Sequence, residues 1–498
     1  MKPKILLADD LHFHKRGFKS LIEFIEKKEL EHTFINHQQK EMLYKYGNYQ
    51  STQDNLQTYY DKLKDLSDDQ LYDFRYSTFK VFPLVKAEIL TYVMTFKSWY
   101  DSKISSDEKS IFKKLLKENK QILLENMSAA LYWIDFWKKE LENYSHYTHC
   151  CVFSGTLIYQ KALIQIAQNS QLKVMLFEHF FTGNDYYCEH KYQHLPNNSD
   201  IKFKNYYQNI LNTDHLDQTV LENEKTKAIN KIITANNKNV KQPKESKKLT
   251  FKNENKTLLI LGQVVNDFSV LETRLSNIST ITFYKELISK TLENTNYNII
   301  FKAHPWERKK ANLNTPLTYN ELNSFIEDTN YSNRVKIVED HNLQTLFTQS
   351  DHIVTLCSQS AIEASFDGKK TVQFGEAFYG KKGFTHDLNS VDQFIENIDN
   401  LNTTLTLEEY KEFEMFLLKT LQLHLVSIHN SGLKTLDEKF KTTRTLSLAT
   451  STPTPNLDKL NIVAQNNTTI KSFLQKLKKV PFIGSSLLWF KHNILRWK

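Results

Sequence analysis

Disulfide frameworks, glycine-rich repeats and membrane-spanning runs are all missing from this sequence, and each absence narrows what it can be. The 498 residues hold only four cysteines, Cys150, Cys151, Cys188 and Cys357, with no Cys-x-x-Cys spacing. That pattern offers neither a disulfide scaffold nor a metal or redox pair. Cys150 and Cys151 lie in an apolar run and read as small core residues, so a reducing compartment is the simpler expectation. Eleven Gly and nine Pro are too few for a barrel or a low-complexity protein. No stretch reaches the roughly 18 apolar residues needed to span a bilayer. The opening Met-Lys-Pro-Lys runs straight into Ile5-Leu6-Leu7-Ala8 without a long apolar segment, so no secretion signal is expected.

Acidic residues are absent from one region in particular. From Lys459 to the end there are eight Lys or Arg and no Asp or Glu, which accounts for the whole formal charge of +8. The body is therefore balanced. A nucleic-acid-binding protein would build its basic groove into the fold, so no nucleic-acid partner is expected. In the tail, Ile470, Phe473, Leu474 and Leu477 line one helical face, with Lys471, Lys476, Lys478 and Lys479 off it. Beyond Pro481 and Gly484 come Leu487, Leu488, Trp489, Phe490, Ile494, Leu495 and Trp497, interleaved with Lys491, Arg496 and Lys498. Basic charge with Trp and Phe on an amphipathic segment is the pattern of an interfacial anchor for an anionic membrane surface. A C-terminal helix docked on the body is the alternative. A cytoplasmic protein held peripherally on the inner face of the membrane is expected.

What is present is enough apolar material for two packed interiors, at 40% hydrophobic and 12% aromatic residues. The first strand, Lys4 to Ala8, leads through a polar turn (Asp9, Asp10, His12, His14) into a helix from about Gly17 and a strand at His32 to Asn36. Residues 54–143 carry helical periodicity, including an aromatic stripe of Tyr132, Trp133, Phe136 and Trp137 that reads as core rather than as a sugar platform. A βαβ unit follows: strand Thr148 to Phe153, helix Thr156 to Gln168, strand Lys173 to Phe177. Residues 234–256 are polar, rich in Lys and Asn, and read as a linker. Strands Thr257–Leu261, Asn298–Lys302, Val335–Val338, His352–Leu356 and Thr371–Phe374 then alternate with helices. The expectation is an α/β protein of two Rossmann-like domains facing a cleft: residues 1–233 with a helical insertion, linker 234–256, a second domain 257–449, and a polar linker with amphipathic tail, 450–498.

Ligands of open parallel sheets bind at the carboxyl ends of strands, and four groups of residues stand there. Glu178 with His179 ends one strand, with Gly183, Asp185 and Glu189 close behind. A carboxylate at a cleft mouth serves as nucleophile or general base, or else as a plain surface acid. Gly262-Gln263, with Asp267 and Ser269, follows the first strand of the second domain, where a glycine permits close backbone approach to a ligand. Lys302-Ala303-His304-Pro305 suits a leaving phosphate, because cations and imidazole donate to developing negative charge. Ser358 and Ser360 precede a helix that carries Glu363 one turn in. They either present N–H groups to an anion or act as simple caps. Gly375-Glu376 and the loop from Tyr379 to Asp387 close over the same edge.

The ordered set is more informative than its pieces. Gly-Gln-Val-x-x-Asp-x-Ser (Gly262 to Ser269), Lys-x-His-Pro (Lys302 to Pro305), Leu346-Phe347-x-x-Ser350-Asp351, Ser360-x-x-Glu363-x-x-x-x-Gly368-Lys369, Phe378-Tyr379-Gly380 and Gly383-Phe384-Thr385 with Asp387 resemble the capsule polysaccharide biosynthesis proteins of the KpsC and KpsS type. The likeness spans about residues 148–390. It implies a GT-B fold, a β-Kdo transferase using CMP-Kdo as donor, retention at the anomeric carbon, a lipid or oligosaccharide acceptor and no metal cofactor. It places His304 on the CMP phosphate and Ser358, Ser360 and Glu363 on phosphate and ribose. Gln263, Gly262, Lys302, Pro305, Gly375 and Tyr379 would shape the donor pocket. Glu178 matches the family's glutamate after the N-terminal strand, although His179-Phe180 stands where the family often has Asp-Gly. Glu178 is thus the first candidate nucleophile and Asp185 the second. No Asp-x-Asp follows a strand, in keeping with a metal-free departure of CMP. Other CMP-sugars such as sialic acid, transfer of glycerophosphate from CDP-glycerol, and a non-enzymatic assembly scaffold are the competing readings.

Overall fold

The computed structural model describes residues 2–35, 40–213, 217–235, 243–273, 275–328 and 331–441. The amphipathic tail and the middle of the expected linker lie outside the described residues.

Short, fully apolar segments set both sheets. In chain order the strands are β1 (Ile5–Leu7), β2 (His32–Phe34), the small hairpin β3 (Arg75–Tyr76) and β4 (Phe79–Lys80), β5 (His149–Phe153), β6 (Lys173–His179), β7 (Asp185–His190), β8 (Thr257–Leu261), β9 (Asn298–Lys302), β10 (Val335–Val338), β11 (His352–Thr355), β12 (Thr371–Gln373), β13 (Thr385–Asp387) and β14 (Leu425–Ser427). The second sheet runs β10-β9-β8-β11-β12-β13, every pair parallel. Its order reverses between β8 and β11, and β8 and β9 are buried along their whole lengths, as a sheet covered on both faces requires. The first sheet runs β14-β7-β6-β5-β1-β2, parallel from β6 to β2, with its reversal between β5 and β1. Two doubly wound domains, carboxyl strand ends facing one cleft, make this the expected α/β GT-B architecture.

Between β2 and β5 sits the helical insertion. Its long helix, Glu108–Asn143, bends at Asn119, whose side-chain oxygen accepts from the Trp99 indole N–H at 2.7 Å. Trp133 and Trp137 are buried, and the Trp137 N–H donates to the Tyr159 carbonyl at 2.6 Å, so this stripe is core as expected. No helix among the described residues is long and apolar enough to cross a membrane.

Two departures from the expected organisation concern the boundaries. Residues 243–256 are docked on the second domain, with Leu249 and Phe251 against its core and the Leu249 N–H donating to Gln349. At the other end, the second domain does not run to 449. After β13 the helix Leu407–Lys419 crosses back, β14 pairs antiparallel with β7, and the helix Gly432–Lys441 packs on the helix Lys15–Lys27. β7 itself escaped the sequence reading. Its acids have lateral partners that let a strand carry charge inside: Asp185 pairs with Lys231, and Glu189 with His424 at 2.7 Å.

The domains are pinned together by buried and half-buried polar contacts. Lys161 meets Glu272 at 2.5 Å, and the Asn197 side-chain oxygen accepts from the Phe378 N–H at 2.7 Å. Asn266 donates to the Thr91 carbonyl at 3.0 Å and Asn312 to the Tyr46 carbonyl at 2.8 Å.

Candidate active site

A cavity of about 240 Å³ opens at the reversal of the second sheet. Loops after β8, β9 and β11 form one wall through Gly262, Gln263, Asp267, Lys302, His304, Pro305, Ser358, Ser360 and Glu363, and His179 and Phe181 face them from the first domain. Of the residues expected from sequence, eight therefore line it directly: Gly262, Gln263, Lys302, His304, Pro305, Ser358, Ser360 and Glu363.

His304 follows β9 and is held by the turn that Pro305 stiffens. Its Nδ1 accepts from the Trp306 N–H at 3.2 Å, which leaves the proton on Nε2 and makes that atom a donor toward the cavity. Burial pushes the imidazole down to about 4, and nearby Lys302 and Lys310 reinforce this against the carboxylate of Asp267. His304 is thus a neutral hydrogen-bond donor at neutral pH, well suited to a phosphate oxygen.

The serine loop after β11 is built by its own contacts. Ser358 Oγ accepts from the Ser360 N–H at 3.3 Å, and the Tyr379 hydroxyl donates to the Ser358 carbonyl at 2.8 Å. Glu363 lies one turn on, with the Ser360 hydroxyl bonded to it, and burial raises its carboxyl to about 7. A half-protonated carboxyl beside hydroxyls can both accept from and donate to a ribose diol.

Several expected roles change once the contacts are seen. The Lys302 ammonium donates to the carbonyls of Ala303 and Glu339, and burial lowers it to about 8, so it braces the β9 end instead of reaching forward to phosphate. Gly262 is required by its neighbours: a Cβ there would lie 2.7 Å from the Phe301 ring and 2.8 Å from the Lys302 carbonyl. Gly375 is similar, with the Leu356 carbonyl 2.7 Å away, and neither it nor buried Tyr379 lines the cavity. They form a second layer behind the serine loop. The Gln263 amide ties Asp267 (3.2 Å) to the Cys357 backbone N–H (3.2 Å), locking two loops together. Arg308 forms a two-pronged pair with Glu339 at 2.6 and 2.8 Å.

On the first domain, Glu178 ends β6 with Oε1 accepting from the His179 N–H at 3.0 Å and with the Ser154 hydroxyl bonded to it. Burial raises its carboxyl to about 7, while these bonds and the charge of Lys310 pull the other way. Lys310 belongs to the second domain and acts on His304 as well. Glu178 does not itself line the cavity; its neighbour His179 does, opposite His304. Asp185 is fully buried at the start of β7, ion-paired with Lys231, and lines no part of the cavity. The second candidate nucleophile is instead a structural anchor. Sequence reasoning also missed Phe181, which had no motif to signal it, and passed over Asp9 and His12, whose spacing after a strand was noted without a role.

Among the described residues no cluster of three or more His, Cys, Asp or Glu is arranged to hold a metal ion.

Comparison with known proteins gives one match to a family model. Residues 184–408 match the family model described as capsule polysaccharide biosynthesis protein. No curated protein matches. Solved structures similar to this chain include Thermosulfurimonas dismutans KpsC as β-Kdo 2,4 transferase, at 17% identity over 56% of this chain and 81% of that one, TM-score 0.40. The β-Kdo 2,7 transferase of the same organism's KpsC aligns at 17% identity over 58% and 81%, TM-score 0.36. The UDP-GlcNAc 2-epimerase of Methanocaldococcus jannaschii, solved with UDP-GlcNAc and UDP, aligns at 12% identity over 84% and 99%, TM-score 0.31.

Proposed function

We propose that the protein is a glycosyltransferase that moves Kdo from CMP-Kdo to a lipid or oligosaccharide acceptor, with retention at the anomeric carbon; the match of residues 184–408 to the capsule polysaccharide biosynthesis family model supports this. One observation carries the reading: His304, Ser358, Ser360 and Glu363 of the second domain line one cavity with His179 of the first, the residue next to Glu178. The second domain's sheet reversal lies at that wall.

In this mechanism His304 Nε2–H donates to the phosphate of CMP, and Ser358 and Ser360 contribute hydroxyl and backbone donors to the same group. Glu363 takes the ribose hydroxyls. Glu178 attacks the anomeric carbon as the bond to the phosphate oxygen breaks, giving a glycosyl-enzyme that the acceptor then resolves. A phosphate is already a good leaving group, so it needs charge stabilisation and no proton. The proposed reaction uses no metal, and chelation with EDTA is expected to leave its rate unchanged.

The test is CMP release from CMP-Kdo, generated in situ, with lipid and oligosaccharide acceptors, beside CMP-sialic acid and CDP-glycerol. Acceptor-dependent CMP release with Kdo alone, reduced about 10²- to 10³-fold in His304→Ala, is expected. Turnover of another donor instead would overturn the sugar. Inactivity with all three would favour an assembly scaffold, which His304→Ala would leave intact in its cellular role.

A further inference from the structure

The first domain has a sheet reversal of its own, between β1 and β5, and the crevice outside such a point is where an open α/β sheet presents ligand-binding groups. At that point β1 runs into Asp9, after the Ala8 N–H has bonded the Cys151 carbonyl at 3.0 Å. Asp9 is fully buried, and its carboxylate is surrounded by donors. Oδ1 accepts from the His12 backbone N–H at 2.8 Å, and Oδ2 from the Tyr159 hydroxyl at 3.0 Å. His12 Nδ1 lies 3.2 and 3.3 Å from the two oxygens, with the Tyr44 hydroxyl also at 3.2 Å.

An ionised carboxylate facing Nδ1 fixes the proton on that atom and leaves the lone pair on Nε2. The ring plane is fixed as well: it stacks on Phe153 with centroids 4.1 Å apart and planes 13° from parallel. Nε2 makes no hydrogen bond among the described residues, and the side chain retains 19% exposure. Phe153 pairs with Phe177, the residue before Glu178, and Ser154 follows it with a hydroxyl on the Glu178 carboxylate. The oriented imidazole, past the end of β1, and the candidate nucleophile, at the end of β6, thus flank the end of β5 on one wall.

We infer that His12 is the catalytic base that takes the proton of the acceptor hydroxyl, and that Asp9 is its positioning residue. This rests on the transferase reading above. In the first step the Glu178 oxygen bonds to the anomeric carbon, and the electron pair of the broken C–O bond leaves with the CMP phosphate; no base is involved. In the second, His12 Nε2 takes the hydroxyl proton as the acceptor oxygen attacks that carbon. The bond to Glu178 breaks, its electron pair returns to the carboxylate, and the imidazolium later loses its proton to water. Asp9, Tyr44, Glu178 and His179 are the titratable groups around the ring.

Rapid-quench measurement of CMP release separates the two steps. In His12→Gln the first equivalent of CMP per protein molecule is expected to appear at an unaltered rate, while steady-state transfer falls about 10²- to 10⁴-fold. Asp9→Asn, whose amide favours the wrong tautomer, is expected to lower kcat with the acceptor KM unchanged. Steady-state transfer by His12→Gln within about threefold of the unaltered protein would overturn the assignment, as would loss of the first equivalent together with turnover. An unaltered protein that turns over without a burst has the first step limiting, and a burst is then expected to emerge in His12→Gln as its second step slows; its absence there would overturn the assignment. An unaltered protein inactive with CMP-Kdo would overturn the donor reading and this assignment with it.

Discussion

Burial holds Glu178 and Glu363 as carboxyls near 7, and that has a measurable cost. A free glutamate ionises near 4.5, so between about 4.5 and 7 the folded protein binds protons that the unfolded chain has released. Stability therefore falls as pH rises through that window and is level above it. Glu178→Gln removes the effect: it is expected to be more stable than the unaltered protein at pH 8, on the order of 1–3 kcal/mol, with the gain vanishing near pH 4.5. Thermal unfolding at the two pH values checks this, and a Gln variant less stable at pH 8 would mean the carboxylate is a structural anchor. Activity moves oppositely. In the proposed reaction the attacking form is the carboxylate, so the rate of CMP release should rise with pH up to about 7, and the Gln variant should lose it by about 10²-fold or more. Asp185 shows why residue-level reading is incomplete: an acid at a strand end looks alike whether it faces a ligand or, as here, a lysine from the helix Gln218–Ile233. Only the fold supplies Lys231. The His-Pro and serine motifs were legible because local turn chemistry alone builds them, whereas the inward Lys302 ammonium and the layering of Gly375 and Tyr379 depend on neighbours remote in sequence.

Secondary elements whose apolar runs are continuous were readable to the residue: β8, β9 and β10 begin and end where the sequence places them. β7, β13 and β14 were not, since Asp-Tyr-Tyr-Cys-Glu-His has no alternation and the other two span three residues each. Their existence is decided by tertiary pairing. At this scale the contact between the helix Ile158–Gln168 and the short helix Phe268–Leu271 matters most. Lys161 on the first reaches Glu272, just beyond the second, whose cap Asp267 lines the cavity. Burial would raise the Glu272 carboxyl, but the Lys161 ammonium overrides it and holds the group at about 2. This contribution is present above about 4.5 and is lost as pH falls toward 2. Lys161→Met strands a buried carboxylate and is expected to lower unfolding stability by about 3 kcal/mol, with Lys161→Met/Glu272→Gln recovering most of it. Denaturant midpoints measure both; equal losses in the single and double variants would show that packing of the lysine stem, not its charge, holds the walls together.

At the scale of the whole molecule, the chain leaves the first domain once and returns to it, so both ends of the described chain belong to one domain. Phe440 packs on Phe24 and on His149, at the start of β5, and Lys28 meets Asp437 at 3.5 Å. Lys441 therefore stands at the amino-terminal edge of the first sheet, opposite the strand ends that carry Asp9, His12 and Glu178. A basic amphipathic segment attached there would hold the first domain near a membrane without blocking the cleft. We propose that residues 450–498 do this. Each Lys or Arg near an anionic surface contributes about 1 kcal/mol, and the Trp and Phe residues add apolar insertion. The full chain is expected to sediment with vesicles containing anionic lipid and to be partly released by high salt, while the chain ended at Thr450 stays in solution. Turnover of a water-soluble acceptor should be the same for both, because every cavity residue lies before Asp367. A truncated body that still sedimented would place the membrane contact on the folded domains. A full chain that ignored anionic vesicles would make the tail a docked helix, and its missing acids would then answer to a negative surface on the protein itself.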